Sequence, residues 1–235
     1  MFDVEKLAIL ATEYCASVSE GKKIGIVGNV VATPLIQQLY KHILLKGGHP
    51  VPQLVVDDLD ELLLTHGTDT QITFVSPFTR HFLSNINAVI RIFAETNVKR
   101  LSKVPPTKLK QRATSQRELT EISMKRLLKP GSYAIIPYPT QAFAQEAEMS
   151  LFEYQDFITK ACFLDKKDPV KEWKNLSKMQ EDIVRRLNKA KKMRFIGEDT
   201  DLRLGVENRK WANCDGHVNM PDGEVFTCPI ENSAQ

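Results

Sequence analysis

The sequence is poor in cysteine and has no long apolar run. Its four cysteines, Cys15, Cys162, Cys214 and Cys228, are scattered and form no C-x-x-C pair. That excludes a dense disulfide framework and fits reduced thiols in a cytoplasm. No apolar stretch approaches the ~20 residues that span a bilayer. The start, Met-Phe-Asp-Val-Glu-Lys, has neither the basic region nor the apolar core of a secretory signal. The serine-nucleophile signature G-x-S-x-G is absent, as is the zinc signature H-E-x-x-H. Neither G-x-G-x-x-G nor a Walker loop occurs, so the turn Ile24-Gly-Ile-Val-Gly-Asn29 reads as packing rather than phosphate binding. A net charge of +3 is too small to imply nucleic acid by itself.

What is present is an alternation of strand-like and helix-like segments. Residues 3–19 read as an amphipathic helix ended by Gly21, and Ile24–Gly28 as a buried strand. Thr33-Pro34 supplies an N-cap and an N1 proline for the next helix, stopped by Gly47-Gly48, and Val51–Val56 follows as a strand. This strand–helix–strand unit predicts a parallel sheet. Asp57–His66 reads as a helix, Gln71–Val75, Ala88–Ala94 and Tyr133–Pro137 as strands, and residues 107–129 as one basic helix. The α/β part then has about five strands. Thr140, Ser150 and Asp168-Pro169 start three further helices. After Lys192 the period changes, and Arg194–Gly197, Leu202–Val206 and Glu224–Thr227 read as short strands.

The candidate chemistry lies mostly near the C-terminus. In Asn219-Met-Pro-Asp-Gly-Glu224, a Pro-Asp-Gly turn delivers Glu224 to the head of a strand, where a carboxylate has little freedom. Such a residue suits a metal ligand or a general base, although exposed turn glutamates are common. Cys214, His217 and Cys228 offer three zinc-type ligands on loops, one short of a structural site. Asp199-Thr-Asp201 forms an acidic turn that could line the same cleft. Residues 99–129 carry ten Lys or Arg against two Glu and no aromatic residue, which argues against stacking on single strands.

Several segments together resemble a known family. They are Ile135-Ile-Pro-Tyr-Pro-Thr140, Glu148-Met-Ser-Leu-Phe-Glu-Tyr-Gln-Asp-Phe157, Asp168-Pro-Val-Lys-Glu-Trp173, Gly197-Glu-Asp-Thr-Asp-Leu202 and Asn219-Met-Pro-Asp-Gly-Glu-Val-Phe-Thr227. In this order they are similar to the thermophilic metalloaminopeptidases, the aminopeptidase T and aminopeptidase S family. The resemblance implies a cytoplasmic, homodimeric exopeptidase acting on peptides. It also implies an active site with two divalent ions, zinc, cobalt or manganese, and a first metal-binding glutamate at Glu224. The family's other ligands, a second glutamate, two histidines, a tyrosine and an aspartate, would fall beyond Gln235.

The expected fold is therefore α/β. Residues 1–189 form an N-terminal βαβ parallel-sheet domain with a helical C-terminal section, and residues 190–235 a truncated start of an α+β catalytic domain. The expected function is metal-dependent release of N-terminal amino acids, with little or no activity from this chain alone and no assignable general base. No membrane association is expected. The alternative is a non-enzymatic α/β module whose basic helix holds nucleic acid or an acidic partner.

Overall fold

The computed structural model describes residues 2–127 and 129–234. Two compact units are present: Met1–Pro169 with His217–Pro221, and Val170–Gly216 with Asp222–Gln235. Among the described residues, no helix is long and apolar enough to cross a membrane.

The first unit is built on a parallel four-stranded sheet. Its strands are β1 (Lys23–Asn29), β2 (His49–Val55), β3 (Ala88–Phe93) and β4 (Tyr133–Pro137), in the order β2-β1-β3-β4. The register sets Ile26 beside Pro52 and Ile90, and Ile90 beside Ala134. One face carries Ile24, Ile26, Ile90, Ile92, Ala134 and Ile136, all buried. Helices α1 (Val4–Leu10) and α2 (Thr33–Leu45) close the core on that side with buried Leu7, Leu10, Leu35, Leu39 and Ile43. Alternate residues point to opposite faces of a strand, so the isoleucine spacing selects this face without ambiguity. A Cβ on Gly28 would sit 2.9 Å from Ile92 on this side, and one on Gly25 would sit 2.6 Å from Phe82 on the other. Both glycines serve close packing, as their sequence context suggested.

Some expectations need correction. The first helix does not run to Val18. It passes into a π-helical turn at Ala11–Cys15, where the buried Thr12 hydroxyl donates back to the Ala8 carbonyl at 2.8 Å. Helix α2 is preceded by a 3-10 turn at Val30–Ala32, so its N-cap is Ala32 and Asn29 caps the turn. The strand expected at Gln71–Val75 is a helix, α4 (Asp69–Thr73), which reduces the sheet to four strands. A capping box between Thr68 and Gln71 forms there, and Ile72 packs with Leu64 and Val104. The helix expected over 107–129 is two helices, α6 (Pro106–Ser115) and α7 (Arg117–Leu127), broken at Gln116; Leu128 lies outside the described residues. Helices α3 (Leu59–His66), α5 (Pro77–Asn85), α8 (Gln141–Glu146) and α9 (Leu151–Ala161) complete the unit. The expected capping box at Ser150 and Glu153 forms on α9.

The second unit contains most of α10 (Pro169–Leu187), the hairpin β5 (Lys192–Gly197) with β6 (Thr200–Gly205), and the antiparallel pair β7 (Ala212–Cys214) with β8 (Glu224–Phe226).

All four cysteines are thiols; Cys15 and Cys162 are buried and Cys228 is exposed. Burial pushes the Cys162 thiol up to about 12. Thiolate is the reactive form, so iodoacetamide at pH 8 is expected to label Cys228 quickly and to spare Cys162 until the protein unfolds. Mass spectrometry of the labelled peptides reads this out, and equal labelling of the two would contradict the packing described.

Candidate metal centre

The site is built on the β7–β8 pair of the second unit. The ladder sets Cys214 directly opposite Glu224, so their side chains project from the same face. Gly223, at φ +126°, takes the backbone into β8 by a conformation that other residues rarely adopt, and its N–H donates to the Cys214 carbonyl at 2.9 Å. The Met220–Pro221 bond is cis. Asp222 lies beside the pair. The ligand atoms of Cys214, Asp222 and Glu224 all lie within 4.8 Å of one another.

Helix α10 holds this hairpin. Gln180 is buried, and its Nε2 donates to the Glu224 carbonyl at 2.7 Å and the Cys214 carbonyl at 3.4 Å. Asn213 Nδ2 donates to the Ser177 carbonyl at 3.1 Å, and Ser177 Oγ donates to Asp215 Oδ2 at 2.5 Å. Glu224 itself is exposed at the strand head, while Cys214 and Asp222 are half-buried. Replacing Gln180 by Leu removes the donor to two carbonyls beside the cluster. The expected cost is about 1–3 kcal/mol, toward the lower end because Gln180 Oε1 has no partner and its loss is favourable. Urea unfolding followed by tryptophan fluorescence measures it; an unchanged midpoint would mean that α10 does not hold the pair.

The electrostatics are those of crowded negative charge. Burial raises the Asp222 carboxyl above its ordinary range, and the charges of Glu224 and Asp215 add to this against N–H donors from Gly223 and Gly216. The Cys214 thiol is raised by burial and then by Asp222, Glu224 and Asp215. A divalent cation would relieve both. Two carboxylates and a thiol form a donor set that zinc and similar ions accept, so these residues fit a metal.

The zinc-type set Cys214, His217 and Cys228 is not gathered: of the three, only Cys214 belongs to the cluster among the described residues. His217 lies in the first unit with its ring 4.3 Å from that of Tyr14. Asp201 is held by Arg194 through bonds of 2.6 and 2.7 Å, which pulls its carboxyl below the usual range. The acidic turn is therefore a hairpin clasp. The sequence reading missed Asp222 and Cys214 as neighbours of Glu224. The one available signal was the cysteine ten positions before the glutamate, which needs the β7–β8 register to become meaningful.

The basic stretch has a structural use. Lys108 Nζ donates to the Leu64 carbonyl at 2.7 Å, in the last turn of α3. Arg112 donates to Ile72 and Phe74 at 3.0 and 2.9 Å, at the end of α4. Arg126 donates to Leu83 and, at 3.2 Å, to Asn87, at the end of α5. Cations thus satisfy the orphan carbonyls and the negative dipole ends of three helices, which gives three of the ten a structural role.

Residues 2–235 match a metalloprotease family. It is the family of thermophilic metalloproteases (M29), and the chain belongs to it. Among solved structures, wild-type AmpT from Thermus thermophilus superposes with a TM-score of 0.80 at 20% identity, over 99% of this chain and 62% of that one. The 2,5-dihydroxypyridine dioxygenase of Pseudomonas putida KT2440 gives 0.52 at 9% identity, over 99% of this chain and 57% of that one. Both likenesses are of fold, and the chain spans less than two thirds of either structure. No curated protein matches the chain.

Proposed function

We propose that this chain belongs to a metal-dependent aminopeptidase, releasing N-terminal amino acids from peptides, with Glu224 as a metal ligand. The observation that carries the reading is the donor cluster at the head of β8, where Glu224, Asp222 and Cys214 converge in a chain of the metalloprotease family. Glu224 presents a charged oxygen on a strand fixed by Gln180, and Asp222 adds a second carboxylate. We place two divalent ions, zinc, cobalt or manganese, in the active site. When bound, they supply Lewis acidity that activates water and polarises a scissile carbonyl. The exposed position of Glu224 suits a ligand that also faces substrate. In functional terms, residues 1–189 form the α/β domain and residues 190–235 begin the catalytic part. We further propose a cytoplasmic homodimer.

The test uses the full-length natural protein. It is expected to hydrolyse aminoacyl p-nitroanilides, to lose that turnover after chelation, and to recover it with zinc, cobalt or manganese. Turnover that persists after exhaustive removal of metal, or no turnover with any of the three ions, would overturn the reading.

A further inference from the structure

The first unit holds a large cavity that the peptidase reading does not use. It lies between the second face of the parallel sheet and helices α5 and α7, and encloses about 520 Å3. Small-molecule sites run from ~300 to 1,000 Å3, so it is large enough to hold a ligand. Its floor is the odd-numbered face of the strands, with Val27, Val55, Val89 and Ile135; Phe82 and Met124 stand opposite. The walls are thus mostly aliphatic and aromatic.

One charge breaks this pattern. Arg91 is exposed on β3, on the same face as Val89, and among the described residues it makes no ion pair or hydrogen bond. It also lines a second, narrower crevice of about 100 Å3 beyond the carboxyl ends of the strands. That crevice sits where the strand order reverses between β1 and β3, the position at which open α/β sheets bind ligands. Two of the three carboxylates around it are engaged. Asp57 accepts from Asn29 and from the Thr96 N–H at 2.9 Å, and Glu95 pairs with Arg100 at 2.7 Å. Asp60, also on the crevice, makes no ion pair with Arg91. The guanidinium therefore stands at the junction of an apolar chamber and a polar mouth with no direct ion-pair partner among the described residues.

We propose that this chamber binds a small amphipathic carboxylate, with its apolar body against Val27, Val89 and Ile135 and its carboxylate on Arg91. Arg presents a planar fork that matches a carboxylate with two parallel hydrogen bonds. A phosphate ester or nucleotide fits less well. The space a ligand would need at Gly28 is filled by Ile92 and Ile36, and no second cation joins Arg91 in the chamber.

Titration calorimetry with octanoate and with 1-octanol tests this on the full chain. One saturable octanoate site per chain is expected. Arg91→Gln is expected to weaken octanoate at least ~tenfold while leaving 1-octanol binding unchanged, because only the charged contact is lost. Ser123→Phe, which fills the chamber from α7, is expected to weaken both ligands. Arg91 is exposed, so its variant should keep the parent unfolding midpoint, and that measurement accompanies the titration. No saturable octanoate binding, or equal binding by Arg91→Gln, would overturn the proposal.

Discussion

Replacing Glu224 by Gln in the full-length natural protein is expected to lower both metal content and peptidase turnover by more than ~100-fold. The basis is local. Glutamine keeps the shape of glutamate and leaves the backbone bond from Gln180 Nε2 to the residue 224 carbonyl in place. The ladder to Cys214 is also a backbone feature and survives. What disappears is one negative charge and one strong donor oxygen from a set whose ligand atoms lie within 4.8 Å. Outer partners of metal ligands already cost 10–100-fold in affinity when removed, and a direct ligand exceeds that. Elemental analysis after dialysis gives the metal content, and anilide turnover gives the rate. A variant with full metal and full rate would remove Glu224 from the site, whereas a variant with full metal and no rate would make it a general base instead.

The position of Glu224 at the head of a strand was legible in the sequence because its constraints are local. Pro221, Asp222 and Gly223 encode a turn, Val225 and Phe226 a strand, and Glu224 falls between them in the structure as in the pattern. The central strands β1 and β3 were legible for a similar reason: their Ile-Gly-Ile and Ala-Val-Ile runs are buried on both faces and leave little choice of element. The companions of Glu224 were not legible. Ala212-Asn213-Cys214 has weak strand propensity, and only the register with Glu224–Phe226 makes it β7. Gln71–Val75 misled for the opposite reason. Its β-branched and aromatic residues favour a strand, but the Thr68–Gln71 capping box and the burial of Ile72 against Leu64 impose a helical turn. The split of the basic helix at Gln116 depends on long-range bonds, since Gln116 and Arg112 both reach the Phe74 carbonyl. Seen as charge alone, Lys108 and Arg112 suggested a binding surface; their partners are helix ends in the same domain.

Ile90→Ala is expected to cost about 2–5 kcal/mol, the largest stability loss among the changes considered. Ile90 is fully buried at the centre of β3, flanked by Ile26 on β1 and Ala134 on β4. It faces the side closed by α1 and α2, where Leu7, Leu10, Leu39 and Ile43 are also fully buried. Truncation there removes apolar area and leaves a void in a layer held by a rigid sheet, which relaxes little. The neighbouring residue gives the control. Arg91 points to the opposite face, is exposed, and has no partner to lose, so Arg91→Gln should change stability by no more than ~0.5 kcal/mol. Urea unfolding of the two variants separates the faces of one strand. A loss below ~1 kcal/mol for Ile90→Ala, or a comparable loss for Arg91→Gln, would mean that the α1–α2 side is not the load-carrying core. The expected asymmetry also explains how the other face can keep an open chamber: a sheet anchored on one side by close packing tolerates an incompletely filled space on the other.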